Sequence, residues 1–257
     1  MNLTIKKYIK KILPQSIIRF LKNIILKYYS LSATGSEFHC PVCKNDLSKF
    51  VKFGIDTINE LHCPFCGSLG RERLLWLIIE NRTLITKSPC SLLEIAPVEC
   101  FMKNFSSIQN LKYMSGDLNS SLAMVKLDIT EMPIDDSSFD YVICSHVLEH
   151  VPDDHKAITE LARVIKPSGT LFILNPVDFD RENTFEDFSI TDPKERLLYF
   201  GQEDHVRIYG KDYISRLEAG GLNVNISDYP STLSEINARR YGISTDEIIF
   251  ECYKNKS

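Results

Sequence analysis

Four of the eight cysteines in this chain stand in two pairs whose spacing could hold a metal ion. Cys40-Pro-Val-Cys43 and Cys63-Pro-Phe-Cys66-Gly67 are separated by nineteen residues. Each CxxC turn lets two thiolates reach one ion, and four sulfurs close a tetrahedron with no position left for a substrate. Gly67 can take the left-handed backbone that the second turn needs. The expectation is one structural zinc ion (Zn2+) that folds its surroundings and does no catalysis; a redox CxxC would stand alone beside a βαβ unit. His39 and His62 adjoin the turns, but the sulfur count is complete without them, so they read as exposed strand residues. Cys90, Cys100, Cys144 and Cys252 lie among apolar residues and read as small core side chains.

A second set of polar residues falls in or beside short apolar runs. Glu94 lies in Leu92–Ile95, Asp117 closes Tyr113-Met-Ser-Gly-Asp, Asp128 follows Met124–Leu127, and Ser145 and His146 follow Tyr141–Cys144. A carboxylate at the tip of a strand can accept two vicinal hydroxyl protons. Taken singly, each acid reads equally well as a solvated turn residue; the three in this order make a stronger pattern. His146-Val-Leu-Glu149-His150 also matches HxxEH, an inverted zinc-peptidase motif. That chemistry needs both histidines on one helical face. Here the motif directly follows a strand, which puts His146 on the strand-to-helix turn, and the sequence identifies no third ligand.

These residues need elements to position them. From Ser91 onward, apolar runs at Leu92–Ile95, Tyr113–Ser115, Met124–Leu127, Tyr141–Cys144, Thr170–Leu174, Leu222–Ile226 and Ile248–Cys252 alternate with helical patterns at Phe101–Ile108, Asp154–Ile165 and Asp212–Ala219. Such alternation predicts an α/β fold with a mostly parallel sheet and helices on both faces. Residues 178–210 interrupt it with a polar, aromatic-containing insertion that should roof a pocket. Residues 37–70 read as a small zinc-ribbon module, and 71–257 as the α/β domain. Residues 1–36 form a basic amphipathic segment and linker, with apolar positions at Ile5, Tyr8, Ile9 and Ile12 and again at Ile17, Ile18, Phe20, Leu21, Ile24, Ile25 and Tyr28.

The first 36 residues hold seven Lys or Arg and no acid, leaving 23 basic against 34 acidic residues downstream. An acidic body disfavours nucleic acid, whose non-specific affinity comes from counterion release by Lys and Arg. The basic segment is too interrupted to span a bilayer, which takes roughly 18 apolar residues. Its stripe fits either peripheral association of residues 1–30 with an anionic membrane or docking on protein. Eight cysteines without a signal-peptide pattern imply a reducing, cytoplasmic setting. The oligomeric state is not readable.

The stretch from Lys126 to Pro152 resembles the middle of a class I S-adenosylmethionine-dependent methyltransferase. His146-Val-Leu-Glu-His150 is similar to the segment after strand four of methyltransferase type 11-like enzymes, and Leu161-Ala-Arg-Val-Ile-Lys-Pro-Ser-Gly169 resembles their turn into strand five. The likeness runs from about Ser91 to Cys252. It implies a Rossmann-like seven-stranded sheet and an S-adenosylmethionine site. Asp117 and the adjoining Leu118 would meet the ribose, Asp128 the adenine amino group and Ile129 the adenine by its backbone. Glu94 and Ala96 would form the first loop, and Ser145 would close the fourth strand, which faces the transferred methyl. Methylating an oxygen needs a base, and His146 is the first candidate with His205 of the insertion second; His146 reads equally as a pocket-wall residue.

Two features depart from the family pattern. The first loop, Glu94-Ile-Ala-Pro-Val-Glu-Cys100, has no glycine, so a reshaped turn is expected. Only ten residues separate Asp117 from Asp128, short for a helical crossover. The function implied is methyl transfer to a small or glycan-type hydroxylated acceptor. Ribosomal RNA methylation and a non-catalytic, cofactor-binding interaction protein stand as the alternatives.

Overall fold

The computed structural model describes residues 15–52 and 61–254. The expected helical pattern at Ile5, Tyr8, Ile9 and Ile12 lies outside the described residues. Two compact units are present.

The first unit contains the described residues up to Arg82 together with Glu99–Asn104 and Tyr229–Glu247. It opens with helix α1 (Gln15–Leu31), whose Phe20, Ile24 and Tyr28 are exposed while Leu26 is buried. No helix of the described residues is long and apolar enough to cross a membrane. Two small antiparallel pairs follow, β1 (Phe38–His39) with β2 (Asp46–Leu47) and β3 (Val51–Lys52) with β4 (Leu61–His62). Helix α2 (Gly70–Arg82) carries an unbroken apolar run, Leu74–Ile79, between polar ends and buries every residue from Glu72 to Ile79. The Arg73 guanidinium, fully buried, donates to the carbonyls of Ser68, Leu61, Tyr241 and Gly242 at 2.5–3.1 Å and stacks on Phe50 at 4.0 Å. By charge-assisted hydrogen bonds this one cation ties β4 and the second cysteine turn to α2 and to Tyr241 and Gly242, 168 and 169 residues downstream.

The second unit carries, in chain order, β5 (Cys90–Ile95), the end of α3 (Glu99–Ser107), β6 (Leu111–Asp117), β7 (Val125–Lys126), β8 (Phe139–Ser145), α4 (Asp154–Val164), β9 (Ile165–Leu174), β10 (Phe185–Glu186), α5 (Pro193–Phe200), β11 (Arg207–Ile208), α6 (Tyr213–Ala219) and β12 (Leu222–Ile226). Helices α7 (Tyr229–Thr232) and α8 (Glu235–Tyr241) return to the first unit before β13 (Phe250–Lys254) closes the second. The sheet runs β12-β13-β9-β8-β5-β6-β7, with β9 to β7 parallel and β13 antiparallel to both its neighbours. Central strands covered on both faces read as near-continuous apolar runs, and Ser91–Ile95, which also buries Ser91 and Glu94, and Leu171–Leu174 are buried without a break. All seven expected strands are present, and the sheet is the mostly parallel, Rossmann-like one that the resemblance implies. The short Asp117–Asp128 connection is accommodated because β7 is only two residues long and pairs only Gly116 and Asp117, so an irregular loop serves in place of a crossover helix.

Candidate functional site

A cleft of about 710 Å³ opens in the second unit, where the carboxyl ends of β5 and β6, the Leu127–Thr130 segment after β7 and the loop after β8 converge. Each of these loops is shaped by a local polar device. After β5, Ala96 takes a left-handed backbone (φ 52°), donating its N–H to Gly116 at 2.9 Å. Glu94 is 2 % exposed; its carboxylate accepts from Val98 N–H at 3.1 Å and from the Tyr113 hydroxyl at 2.5 Å. Burial first, and Glu94 second, push the Tyr113 phenol far above its usual range, so it stays a donor. Glu94 thus ties down the glycine-less loop from behind and is not among the residues that line the cleft.

At the end of β6, Asp117 Oδ1 accepts from the N–H groups of Asn119 and Ser120 at 2.7 and 2.5 Å, an Asx turn that fixes the loop. Oδ2 has no partner among the described residues. Leu118 and Asn119 line the cleft beside it. After β7, Asp128 repeats the device, accepting from the Thr130 N–H and hydroxyl at 2.8 and 2.7 Å, and those two bonds hold its carboxyl below the usual range. Ile129 lies next to it on the cleft wall.

Strand β8 ends in a second left-handed residue, His146 (φ 54°), whose N–H donates to Leu174 on β9 at 2.8 Å. Its ring, 32 % exposed, lines the cleft, and its Nδ1 is 3.1 Å from Glu149 Oε1. A short 3₁₀ turn, Leu148–His150, follows in place of an α-helix. His146 is thereby outside any helix, as expected, and the two-histidines-on-a-helix geometry of a zinc peptidase does not form. Glu149 is 1 % exposed and also accepts from Asn175 Nδ2. Burial works to raise its carboxyl, but the His146 hydrogen bond, the His146 charge and smaller contributions outweigh it and hold it low. Ser145, the last residue of β8 and paired with Leu174, is not among the residues that line the cleft.

The insertion closes this loop through Arg207. Its guanidinium is fully buried and donates to the carbonyls of Leu148, Val151 and Pro152 at 2.5–2.8 Å and to Glu186 at 2.9 Å. Val206 N–H adds a bond to the Glu149 carbonyl at 3.0 Å. His205, carried on the same segment, is buried behind His150 with ring centroids 4.7 Å apart. Burial, then the neighbouring His150, hold its imidazole below the usual range. His205 is not among the residues that line the cleft, whereas its neighbours Asp204 and His150 are. Sequence reasoning missed Glu149, Asn175 and Arg207 as site residues. Asn175 directly follows β9, so the signal used for Asp117 and Ser145, a polar residue closing a parallel strand, was present there too.

In the first unit, Cys40, Cys43, Cys63 and Cys66 place their sulfurs within 4.8 Å of one another. The two turns are alike. Lys44 and Gly67 are left-handed (φ 59° and 78°), and each donates its N–H to the first cysteine of its pair, Cys40 or Cys63, at 2.8 Å. A tetrahedral ion with Zn–S bonds near 2.3 Å puts its sulfurs about 3.8 Å apart, and Cys40–Cys66 and Cys43–Cys63 are both 3.7 Å. His39 bonds Asp46 at 2.9 Å, and His62 the Gly67 carbonyl at 3.2 Å.

Comparison with known proteins bears on the cleft. The family described as a methyltransferase domain matches residues 101–173, which take in Asp117, Asp128 and His146 and begin just past the glycine-less loop. The chain is 36% identical over 87 residues to the ubiquinone/menaquinone biosynthesis C-methyltransferase UbiE of Rickettsia felis, covering 33% of this chain and 35% of that one. It is 29% identical over 83 residues to the sterol 4-C-methyltransferase strm-1 of Caenorhabditis elegans, covering 31% and 25%. The aligned part thus spans about a third or less of these relatives' length. Among solved structures, it is similar to a SAM-dependent methyltransferase from Archaeoglobus fulgidus with a TM-score of 0.47 and 17% identity, over 74% of this chain and 95% of that chain.

Proposed function

We propose that this protein transfers a methyl group from S-adenosylmethionine to a small hydroxylated acceptor, with a saccharide as the leading class. The observation that carries the reading is the cleft itself, which gathers Ala96, Asp117, Leu118, Asp128, Ile129 and His146 at the carboxyl ends of parallel strands. Ligands of open α/β sheets bind there. Its volume suits a cofactor-sized ligand. The relatives named above carry sterol and quinone substrates in their names, which supports a small-molecule acceptor.

When bound, S-adenosylmethionine supplies an electrophilic methyl on a sulfonium. In this reading Asp117 uses Oδ2 to accept from the ribose while Oδ1 keeps its turn, and Asp128 accepts from the adenine amino group. His146 Nδ1 donates to Glu149, which leaves Nε2 with a lone pair to take the acceptor's hydroxyl proton. Buried Glu149, steadied by Asn175, holds the ring's tautomer and stabilises the imidazolium that results. The loops then contribute alignment, the largest resource available to an in-line displacement. In the first unit the four thiolates would hold one zinc ion as a folding element.

The test is transfer of labelled methyl into a small-molecule extract of the source cells. Wild type should label an acceptor, and His146→Ala should lose about 10²–10⁴ of the rate with cofactor affinity kept. Label entering RNA in place of small molecules would overturn the acceptor class.

A further inference from the structure

Beside His146 lies a cluster that the methyl-transfer reading leaves mostly unused. One ligand atom each of Glu149, His150 and His205 lie within 4.8 Å of one another. His150 Nδ1 is 3.2 Å from the Asp204 carbonyl oxygen and 3.5 Å from its carboxylate. His205 Nδ1 is 3.2 Å from the Phe200 carbonyl oxygen. Those oxygens only accept, so in the neutral rings each Nδ1 carries the proton and each Nε2 a lone pair. His205 is 5 % exposed, and its Nε2 has no hydrogen-bond partner among the described residues. Buried polar atoms are nearly always satisfied, so an acceptor left this way calls for an explanation. Glu149, equally buried, uses two of its roughly four lone-pair sites on His146 and Asn175.

We propose that Glu149, His150 and His205 form a binding site for a divalent first-row transition-metal ion, with Nε2 of both rings and one Glu149 oxygen as ligands. The outer atoms are arranged as such a site requires. Each histidine donates its remote N–H to a carbonyl, which fixes ring and tautomer, and the carboxylate is steadied by an amide and an imidazole. Two imidazoles with one carboxylate suit zinc or iron(II) and not the all-oxygen preference of calcium or magnesium. The three donors, within 4.8 Å of one another, must draw closer to meet one ion. The buried negative charge on Glu149 gains a cation, and the orphaned Nε2 gains a partner. Three protein ligands leave a coordination position, and His150 lines the cleft, so that position lies on the cleft side. An acceptor oxygen binding there is a consequence that rests on the methyl-transfer reading; the metal site does not.

The test is a cobalt(II) titration of the full chain carrying one equivalent of zinc, which the four soft thiolates take up first, followed by absorbance and by the exchangeable imidazole N–H signals that cobalt shifts in proton NMR. Wild type should bind about one cobalt per chain without thiolate charge-transfer absorption, and shift two imidazole N–H signals. His150→Ala, at a half-exposed ring, and Glu149→Gln should each weaken binding tenfold or more, as ligand loss requires. His155→Ala, on the exposed side of α4, should bind as wild type. Absence of cobalt uptake outside the cysteine site, or equal uptake by a folded His150→Ala protein, would overturn the proposal and leave the two rings as an edge-packed pair. No cofactor is present in the titration, so its result is separate from that of methyl transfer.

Discussion

Replacing Ala96 by glycine tests whether the glycine-less loop has been reshaped as described. An L-residue in the left-handed region costs about 1–2 kcal/mol, and Ala96 sits there at φ 52° in front of a proline. Glycine relieves that cost, while its freer unfolded chain gives back about 0.4–1 kcal/mol. The net expectation for Ala96→Gly is a gain of up to about 1.5 kcal/mol. For a chain of this length about 1 kcal/mol moves the unfolding midpoint by about 2–4 °C. Val98, two residues on, has ordinary extended backbone (φ −100°, ψ 136°). Val98→Gly therefore gains nothing from relief and loses about 0.5–1 kcal/mol of backbone entropy besides its packing. Thermal and urea unfolding of the two variants beside wild type should give shifts of opposite sign. A loss of about 1 kcal/mol in Ala96→Gly, or equal losses in both, would refute the left-handed turn.

Asp117→Asn keeps the carbonyl oxygen that closes the Asx turn but removes the second acceptor, so S-adenosylmethionine affinity should fall about tenfold or more for one lost charge-assisted bond with stability unchanged. Asp117→Ala should lose both affinity and loop stability, and Asp135→Asn neither; equal affinity in wild type and Asp117→Asn would remove the ribose assignment. Metal analysis should find about one zinc held by Cys40, Cys43, Cys63 and Cys66, and Cys63→Ser should lose soluble protein, because binding energy in such modules is folding energy; a zinc-free, fully folded protein would contradict this. The exposed Phe20, Ile24 and Tyr28 of α1, in a segment whose charges are all basic, should bind anionic vesicles at low salt and release them at high salt, at about 1 kcal/mol per cation near the surface. Vesicles ignored at low salt would mark the helix as a protein-docking element.

The strands were legible because residues buried on both faces of a parallel sheet leave runs of Leu, Ile and Val that little else explains. The ends of those runs located Asp117, Asp128 and His146, since chain direction alone brings the tips of parallel strands to one side. The direction of the Glu94 side chain is something that spacing does not encode. Its carboxylate turns away to meet Tyr113 and Val98, and a strand residue one position off faces the other way. His205 was assigned to the cleft because the insertion roofs it, yet the segment anchored by Arg207 buries that ring behind His150. Arg207 and Arg73 look like ordinary surface cations in sequence. Only the fold reveals that each satisfies several backbone carbonyls left open by a turn, which is what permits a guanidinium to be fully buried. Helix α5 carries legible end signals, the Asp192 cap and Gly201 at φ 81°. Its Leu197, Leu198 and Tyr199 are all exposed, however, so it lacks the buried stripe by which helices are read.

The central claim is that the cleft above β5 and β6 holds S-adenosylmethionine. Calorimetric titration of the wild-type full chain with S-adenosylhomocysteine, the product of the proposed transfer, tests it most directly. The account predicts saturable binding at about one site per chain, displaced by S-adenosylmethionine. A folded protein that takes up neither ligand would contradict it and leave the cleft without the role assigned to Asp117 and Asp128.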